Sequence, residues 1–304
     1  MADRPRAPRH TFSSDRRHAH PAKPRPPREL AEAGLTARKA LGQHFLRDRA
    51  ILRRIAAATK ASPEETVIEV GAGLGVLTQQ LAKRAGRVIA VEVDATLCDH
   101  LRRRFDGLPA VSVVSADVLA LPPSELLRAG GARPPYVLAG NLPYNIGAAV
   151  LRHFLEAAQP PQRLIVMLQR EVAESIVAAP GRLSLLALSV RFYGSPRLLF
   201  TVPPAAFYPP PKVDSAVLRI DVHEAPPVAV DDTGAFFRFL RAGFSAPRKQ
   251  LRNALSHGLA REPRSVGEAI ARAGLDPSLR AQALSLDDWA TLYRALAVDS
   301  EERQ

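Results

Sequence analysis

Three glycines at alternating positions, Gly71, Gly73 and Gly75, follow the apolar run Val67-Ile-Glu-Val70. Glycine lets the backbone turn tightly and come close to a ligand, so this stretch reads as a strand-to-helix cofactor loop. Glu92 ends the next apolar run, 21 residues after Gly71, and a carboxylate there can accept both hydroxyls of a ribose. Asp117, after a third run, can bind the exocyclic amine of an adenine, and Glu69 can meet the charged end of a methionine. Two cofactors compete for such a site. A dinucleotide needs G-x-G-x-x-G to seat its pyrophosphate on a helix N-terminus, but here the spacing is G-x-G-x-G, with Val76 in the sixth place. S-adenosylmethionine carries no phosphate, and the tighter loop suffices for it. Either acid taken alone also fits a solvated loop carboxylate; three acids and glycines at successive strand ends favour the sulfonium cofactor.

A second constellation, Gly140-Asn141-Leu142-Pro143-Tyr144, ends a fourth apolar run. An aromatic amine is a poor nucleophile because its lone pair is delocalised into the ring. It needs hydrogen-bond acceptors that draw its N–H groups out of the conjugated plane. The Asn141 side-chain oxygen and the Leu142 carbonyl, stiffened by Pro143, supply two. Tyr144 offers a ring on which a base can stack. Positioning and electrostatics are then the catalytic terms. A further aromatic, Phe207, precedes the stiff run Pro209-Pro-Pro211 and is expected over the other face of the same base, with Lys212 near a phosphate. The competing readings are an ordinary Asn-x-Pro turn and a core phenylalanine.

These residues need elements to hold them. Helical spacing runs from Arg47 to Thr59, with Ile51, Leu52 and Ile55 on one face. Strands are expected at Thr66–Val70, Val88–Val93, Val111–Ser115, Tyr136–Ala139 and Leu164–Leu168, with helices at Val76–Ala85 and Ala95–Phe105 between them. That alternation indicates a doubly wound, mostly parallel sheet. Leu198–Val202 and Ala216–Val222 read as an antiparallel addition at its edge. After Pro226-Pro227 four short helices follow, Ala235–Ala242, Arg248–Gly258, Val266–Ala273 and Leu286–Ala297. The fold class is therefore α/β, a Rossmann-like seven-stranded sheet plus a small all-α C-terminal domain. The expected divisions are a basic arm over 1–28, a cofactor domain over 29–224 and a helical domain over 225–304.

Composition narrows the function. The 304 residues carry a net charge of +12, which fits a polyanionic partner such as nucleic acid and equally a GC-rich genome that favours Arg; the placement of the charge says more. Residues 1–28 hold eight Arg/Lys against two Asp, half of that excess, with six prolines; such a segment suits a disordered arm on RNA phosphates. Residues 238–264 hold seven Arg/Lys and one acid. Arg248, Lys249 and Arg252 are expected to share one basic helix face, whereas Trp289 and Tyr293 suit helix packing. One cysteine and eight scattered histidines give no metal-ligand spacing. No apolar run reaches the roughly 18–20 residues of a membrane span, and the N-terminus lacks a signal-peptide core. A cytoplasmic location is expected.

Together the motifs resemble the ribosomal RNA adenine dimethyltransferase family. The resemblance runs from about Arg38 to Leu255. It rests on Lys39-Ala-Leu-Gly-Gln-His-Phe-Leu-Arg-Asp48, the Gly71–Gly75 loop, Asn141-Leu-Pro-Tyr144, Ala206-Phe-Tyr-Pro-Pro-Pro-Lys-Val-Asp-Ser215 and Phe244-Ser-Ala-Pro-Arg-Lys-Gln-Leu-Arg-Asn253. It implies a class I methyltransferase fold and dimethylation of N6 on two adjacent adenosines in the 3′-terminal hairpin of small-subunit (16S) rRNA. It implies an immature 30S particle as partner, a part in 30S biogenesis and a monomeric enzyme. Carried over by position, His44, Leu46, Gly71, Gly73, Glu92, Asp117 and Asn141 line the cofactor site. Asn141, Leu142, Tyr144 and Phe207 hold the acceptor adenine. The family usually has Asn where His44 stands, a change tolerated if the contact is made through the backbone and harmful if through the side chain. The segment Ala179–Ser184 is shorter than usual. Rival readings are an enzyme acting on a single large-subunit adenosine, a non-catalytic assembly factor that keeps the fold, and a DNA adenine methyltransferase, which usually carries Pro-Pro-Tyr at this turn.

Overall fold

Continuous apolar runs bounded by glycine and proline form parallel strands covered on both faces, and that pattern governs this chain. A computed structural model describes residues 26–32, 34–38 and 41–301; the basic arm lies outside the described residues except for positions 26–28, as do Lys39 and Ala40. In chain order the first elements are α1 (Arg28–Glu32), β1 (Phe45–Leu46), α2 (Arg49–Ala58), β2 (Thr66–Val70), α3 (Val76–Leu81), β3 (Arg87–Glu92), α4 (Ala95–Arg104) and β4 (Val111–Ser115). Then come α5 (Pro123–Ala129), β5 (Tyr136–Asn141), α6 (Gly147–Leu155), β6 (Arg163–Gln169), α7 (Arg170–Val177), α8 (Leu185–Tyr193), β7 (Gly194–Val202), β8 (Phe207–Tyr208) and β9 (Ser215–Val222). The C-terminal helices are α9 (Thr233–Gly243), α10 (Leu251–Leu259), α11 (Pro263–Arg272) and α12 (Leu286–Glu301).

The sheet order is β4-β3-β2-β5-β6-β9-β7. β2 through β6 run parallel, and β9 pairs antiparallel with both β6 and β7. The order reverses between β2 and β5, the switch point at which open α/β sheets bind ligands beyond their strand ends. A separate two-stranded ladder joins β1 to β8, setting Phe45 opposite Tyr208 and Leu46 opposite Phe207.

Local signals explain most boundaries. Asp48 accepts from the Ala50 and Ile51 amides at 2.8 and 3.1 Å and caps α2, so the helix starts two residues later than its apolar period suggests. β7 extends further back than expected, to Gly194, because a bulge between Leu198 and Phe200 interrupts its alternation. One expectation is corrected: Arg248 and Lys249 do not lie on a helix with Arg252. α10 begins at Leu251, while Pro247 and the Lys249 N–H to Ala246 carbonyl bond hold 246–249 in a turn. The proline disfavours helical backbone at the residue before it.

Apolar residues pack on both faces of the sheet. A further cluster unites Leu183, Ala187, Leu188 and Phe192, in and just before α8, with the four C-terminal helices. Trp289 is fully buried there against the rings of Phe239 and Phe244. The short Ala179–Ser184 segment is tied to the same unit, since the Gly181 and Leu183 amides both donate to the Gln282 carbonyl. Among the described residues no helix is long and apolar enough to cross a membrane, and no three His, Cys, Asp or Glu gather as metal ligands.

Gly140 tests the strand packing beneath the switch point. A Cβ there would stand 2.5 Å from the Val70 carbonyl oxygen, a backbone atom of the neighbouring strand that cannot yield. Gly140→Ala should lower stability in urea denaturation by about 2 kcal/mol, the scale of core overpacking. An unchanged midpoint and slope would show that β2 and β5 are less tightly apposed than described.

Candidate active site

A cavity of about 270 Å³ opens where β2, β3, β4 and β5 end, near the lower bound of small-molecule sites (roughly 300–1,000 Å³). Its wall includes His44, Leu46, Gly71, Gly73, Glu92, Asp117, Asn141, Leu142 and Tyr144, residues that the sequence marks in five separate segments. Glu69 lines it too. Gly71 and Gly73 hold φ of +71° and +55°, values that residues with a Cβ rarely adopt. They bend the loop so that the Gly71 and Ala72 amides donate to the Val91 carbonyl at 2.9 and 3.2 Å.

Glu92 is prepared as an acceptor. Its carboxylate receives the Gly73, Val93 and Asp94 amides at 2.9, 2.9 and 3.0 Å. Burial pushes its pKa up and these amides pull it back down. A carboxylate offers about four lone-pair sites, so three backbone bonds leave about one, fewer than the two ribose contacts expected from sequence. Asp117 is exposed and binds the Leu119 amide through one oxygen at 3.0 Å.

Glu69 differs in kind. It is 1% exposed, and its Oε2 has no hydrogen-bond partner. Burial, with a smaller push from the Glu92 charge, raises its pKa to about 8, and Thr78 beside it acts in the opposite sense. An uncompensated buried carboxyl is costly unless a partner arrives. Among the described residues three acids and neither Lys nor Arg line the cavity, which disfavours a pyrophosphate and suits a phosphate-free cation. The residues present therefore fit S-adenosylmethionine, whose adenosine Glu92 and Asp117 would hold and whose ammonium would meet Glu69.

At the opposite corner the Asn141 Nδ2 donates to the His44 backbone carbonyl at 2.9 Å. A carbonyl only accepts, so this bond fixes which end of the amide is NH₂ and leaves Oδ1 as the acceptor end. His44 meets Asn141 through its backbone carbonyl. Its ring is engaged elsewhere: Nδ1 lies 2.7 Å from the Pro209 carbonyl and the ring stacks on Tyr144 at 5.7 Å and 25°. Leu142 buries its side chain in the core, and its amide donates to the Met167 carbonyl at 3.1 Å. Burial raises the Tyr144 pKa, opposed by a hydrogen bond to Ser215.

Phe207 is a correction. It does not line the cavity; it is 1% exposed among Leu46, Leu52, Ile55 and Val217. Pairing of β8 with β1 turns it into the core, and Tyr208, its half-buried neighbour, packs toward Phe45. Sequence reasoning missed a brace on the other side of the cavity. Asp94, which caps α4, also accepts from Gln43 Nε2 at 3.3 Å and pairs with Arg38 at 3.3 Å, tying the N-terminal segment over the site. Nothing in the sequence announces it, since Gln43 and Asp94 stand 51 residues apart.

Comparison with known proteins identifies the family. The family described as ribosomal RNA adenine dimethylase matches residues 34–297. The "Ribosomal RNA small subunit methyltransferase A" of Dehalococcoides mccartyi is 48% identical over 258 residues, 85% of this chain and 88% of that protein. The protein of the same name from Geobacter metallireducens is 43% identical over 271 residues, 86% and 96% of the two chains. Among solved structures, 23S rRNA methyltransferase ErmE superposes with a TM-score of 0.67 at 29% identity, covering 83% of this chain and 99% of that one. A dimethyladenosine transferase from Plasmodium falciparum gives 0.71 at 21% identity, over 84% and 98%, a likeness of fold. With a family match across nearly all the described residues and three of the motifs gathered around one acid-lined cavity, the chain belongs to the ribosomal RNA adenine dimethylase family.

Proposed function

We propose that this chain transfers methyl groups from S-adenosylmethionine to N6 of two adjacent adenosines in the 3′-terminal hairpin of small-subunit rRNA, giving N6,N6-dimethyladenosine. It acts as a cytoplasmic monomer on an immature 30S particle and contributes to 30S biogenesis. Residues 29–224 carry the chemistry and 225–304 form a helical RNA-binding unit that shares its apolar core with α8. Arg248 and Lys249, presented on the turn before α10, and Arg252 on that helix contact phosphates.

The observation that carries this reading is the Asn141 amide held by the His44 carbonyl, which supplies a directed oxygen at the cavity wall. When bound, the cofactor supplies an electrophilic methyl group on a sulfonium. Asn141 Oδ1 and the Leu142 carbonyl accept the two N6 hydrogens of an adenine rotated out of its hairpin, and the lone pair is freed from the ring. Tyr144 stacks on the base, and Glu69 and Glu92 hold the two ends of the cofactor. Phe207 has no part in holding the base. Extrusion from a loop costs less than the few kcal/mol of a paired base. The small-subunit target is favoured over the large because the relatives at 40–48% identity carry the small-subunit name, whereas the large-subunit enzyme stands at 29%.

Mass spectrometry of rRNA nucleosides after incubation with labelled cofactor and isolated 30S or 50S particles tests the assignment. Dimethyladenosine should appear on 30S alone. Methylation of 50S at a single adenosine, or RNA binding without transfer, would favour the rival enzyme or the non-catalytic factor. Asn141→Ala should bind RNA nearly as the parent chain does and lose roughly 10³-fold in turnover, the upper range for one preorganised electrostatic partner; turnover near wild type refutes the assigned role. Glu69 makes a pH-dependent prediction. Its folded pKa of about 8 lies above the ordinary 4.5, so the folded state binds more protons between those values and stability falls as pH rises through them. Without cofactor, Glu69→Gln should melt higher than wild type at pH 8.5 and equally at about pH 4, while binding S-adenosylmethionine more weakly. An equal shift at both pH values would show that the carboxyl charge is not the cause.

A further inference from the structure

Two motifs far apart in the chain meet in one hydrogen bond. The Tyr144 hydroxyl lies 2.7 Å from Ser215 Oγ, across 71 residues of sequence. Ser215 is fully buried, and its backbone is in register with Gln169 on β6 and Val202 on β7. It is thus anchored from both sides of the sheet. The Tyr144 ring is held a second time, by the His44 ring stacked at 5.7 Å and 25°. His44 is itself fixed, because the Pro209 carbonyl only accepts and Nδ1 must donate to it at 2.7 Å. The tyrosine is therefore held at its tip and on one face, and it lines the cavity.

We propose that Ser215 is a positioning residue for the acceptor base: its hydroxyl fixes the plane of the Tyr144 ring on which that base stacks. Pro209 supports the same ring through His44, so the proline-rich loop acts on the base by orienting Tyr144 instead of through Phe207. The inference rests on the stacking role proposed for Tyr144. A ring free to rotate about its side-chain bonds would have to be ordered each time a base entered. A ring already fixed by a buried partner presents its face without that entropy cost. The Tyr144 hydroxyl, occupied by Ser215, serves as a handle and not as a proton donor in the reaction.

The test is steady-state methylation of 30S particles by the full chain carrying Ser215→Ala, Tyr144→Phe, both together, or Tyr144→Ala, with cofactor affinity measured by calorimetry. Ser215→Ala and Tyr144→Phe remove the same bond from opposite ends, so a folding defect in one leaves the other to decide. Each should lose about tenfold in kcat/KM for the particle, the value of one hydrogen bond, with cofactor Kd unchanged. The double variant should be no worse than either single one, a coupling that general loosening of the fold does not produce. Wild-type kcat/KM in Ser215→Ala, or a double variant about a hundredfold down, overturns the inference. Tyr144→Ala separates the two levels. Full activity in it removes the stacking role itself, whereas loss in it alongside normal Tyr144→Phe and Ser215→Ala removes only the part given to Ser215.

Discussion

A primary amide can turn either end toward a ligand, and the chemistry at this site depends on that choice. The His44 carbonyl settles it, because it can only accept and so takes the Asn141 Nδ2. The consequence reaches through the fold. His44 must stand beside the end of β5, so the N-terminal segment has to cross the switch point. The β1–β8 ladder continues directly from it, and the Asp94 contacts with Arg38 and Gln43 brace the stretch before it. Strands from both ends of the cofactor domain thus converge on the orientation of one side chain.

The opposite wall is governed by charge. Glu69 and Glu92 are both buried, and burial raises both pKa values. Glu92 is compensated by three backbone amides, whereas the Glu69 Oε2 has no partner. That asymmetry divides the work. In the proposed reading Glu92 would meet a ribose hydroxyl with its remaining acceptor site, and a cation would relieve the buried Glu69 carboxyl. The same wall, among the described residues, offers a phosphate no Lys or Arg, in keeping with a G-x-G-x-G loop that does not carry the dinucleotide spacing.

Much of this was legible in the residues. Thr66–Val70 and Val111–Ser115 are strands of the expected bounds because both are rich in β-branched residues, the first a mostly apolar buried strand and the second a half-exposed edge strand. The cofactor wall follows, since Gly71, Glu92 and Asp117 each end or follow such a strand. What stayed hidden depends on long-range pairing. Phe207 looks like a stacking ring beside a stiff proline run, and only its register opposite Leu46 turns it into the core. The bond of Tyr144 to Ser215 and of the His44 ring to Pro209 cross 71 and 165 residues with no pattern to announce them. Arg248 and Lys249 fit a helical period, yet Pro247 had marked a turn there all along.

The orientation of one amide is open to direct observation. A crystal structure with S-adenosylhomocysteine and an adenosine-containing acceptor should show Asn141 Oδ1 within hydrogen-bond distance of N6 while Nδ2 remains on the His44 carbonyl. A purine bound away from Asn141, or an amide turned so that Nδ2 faces N6, would contradict the account.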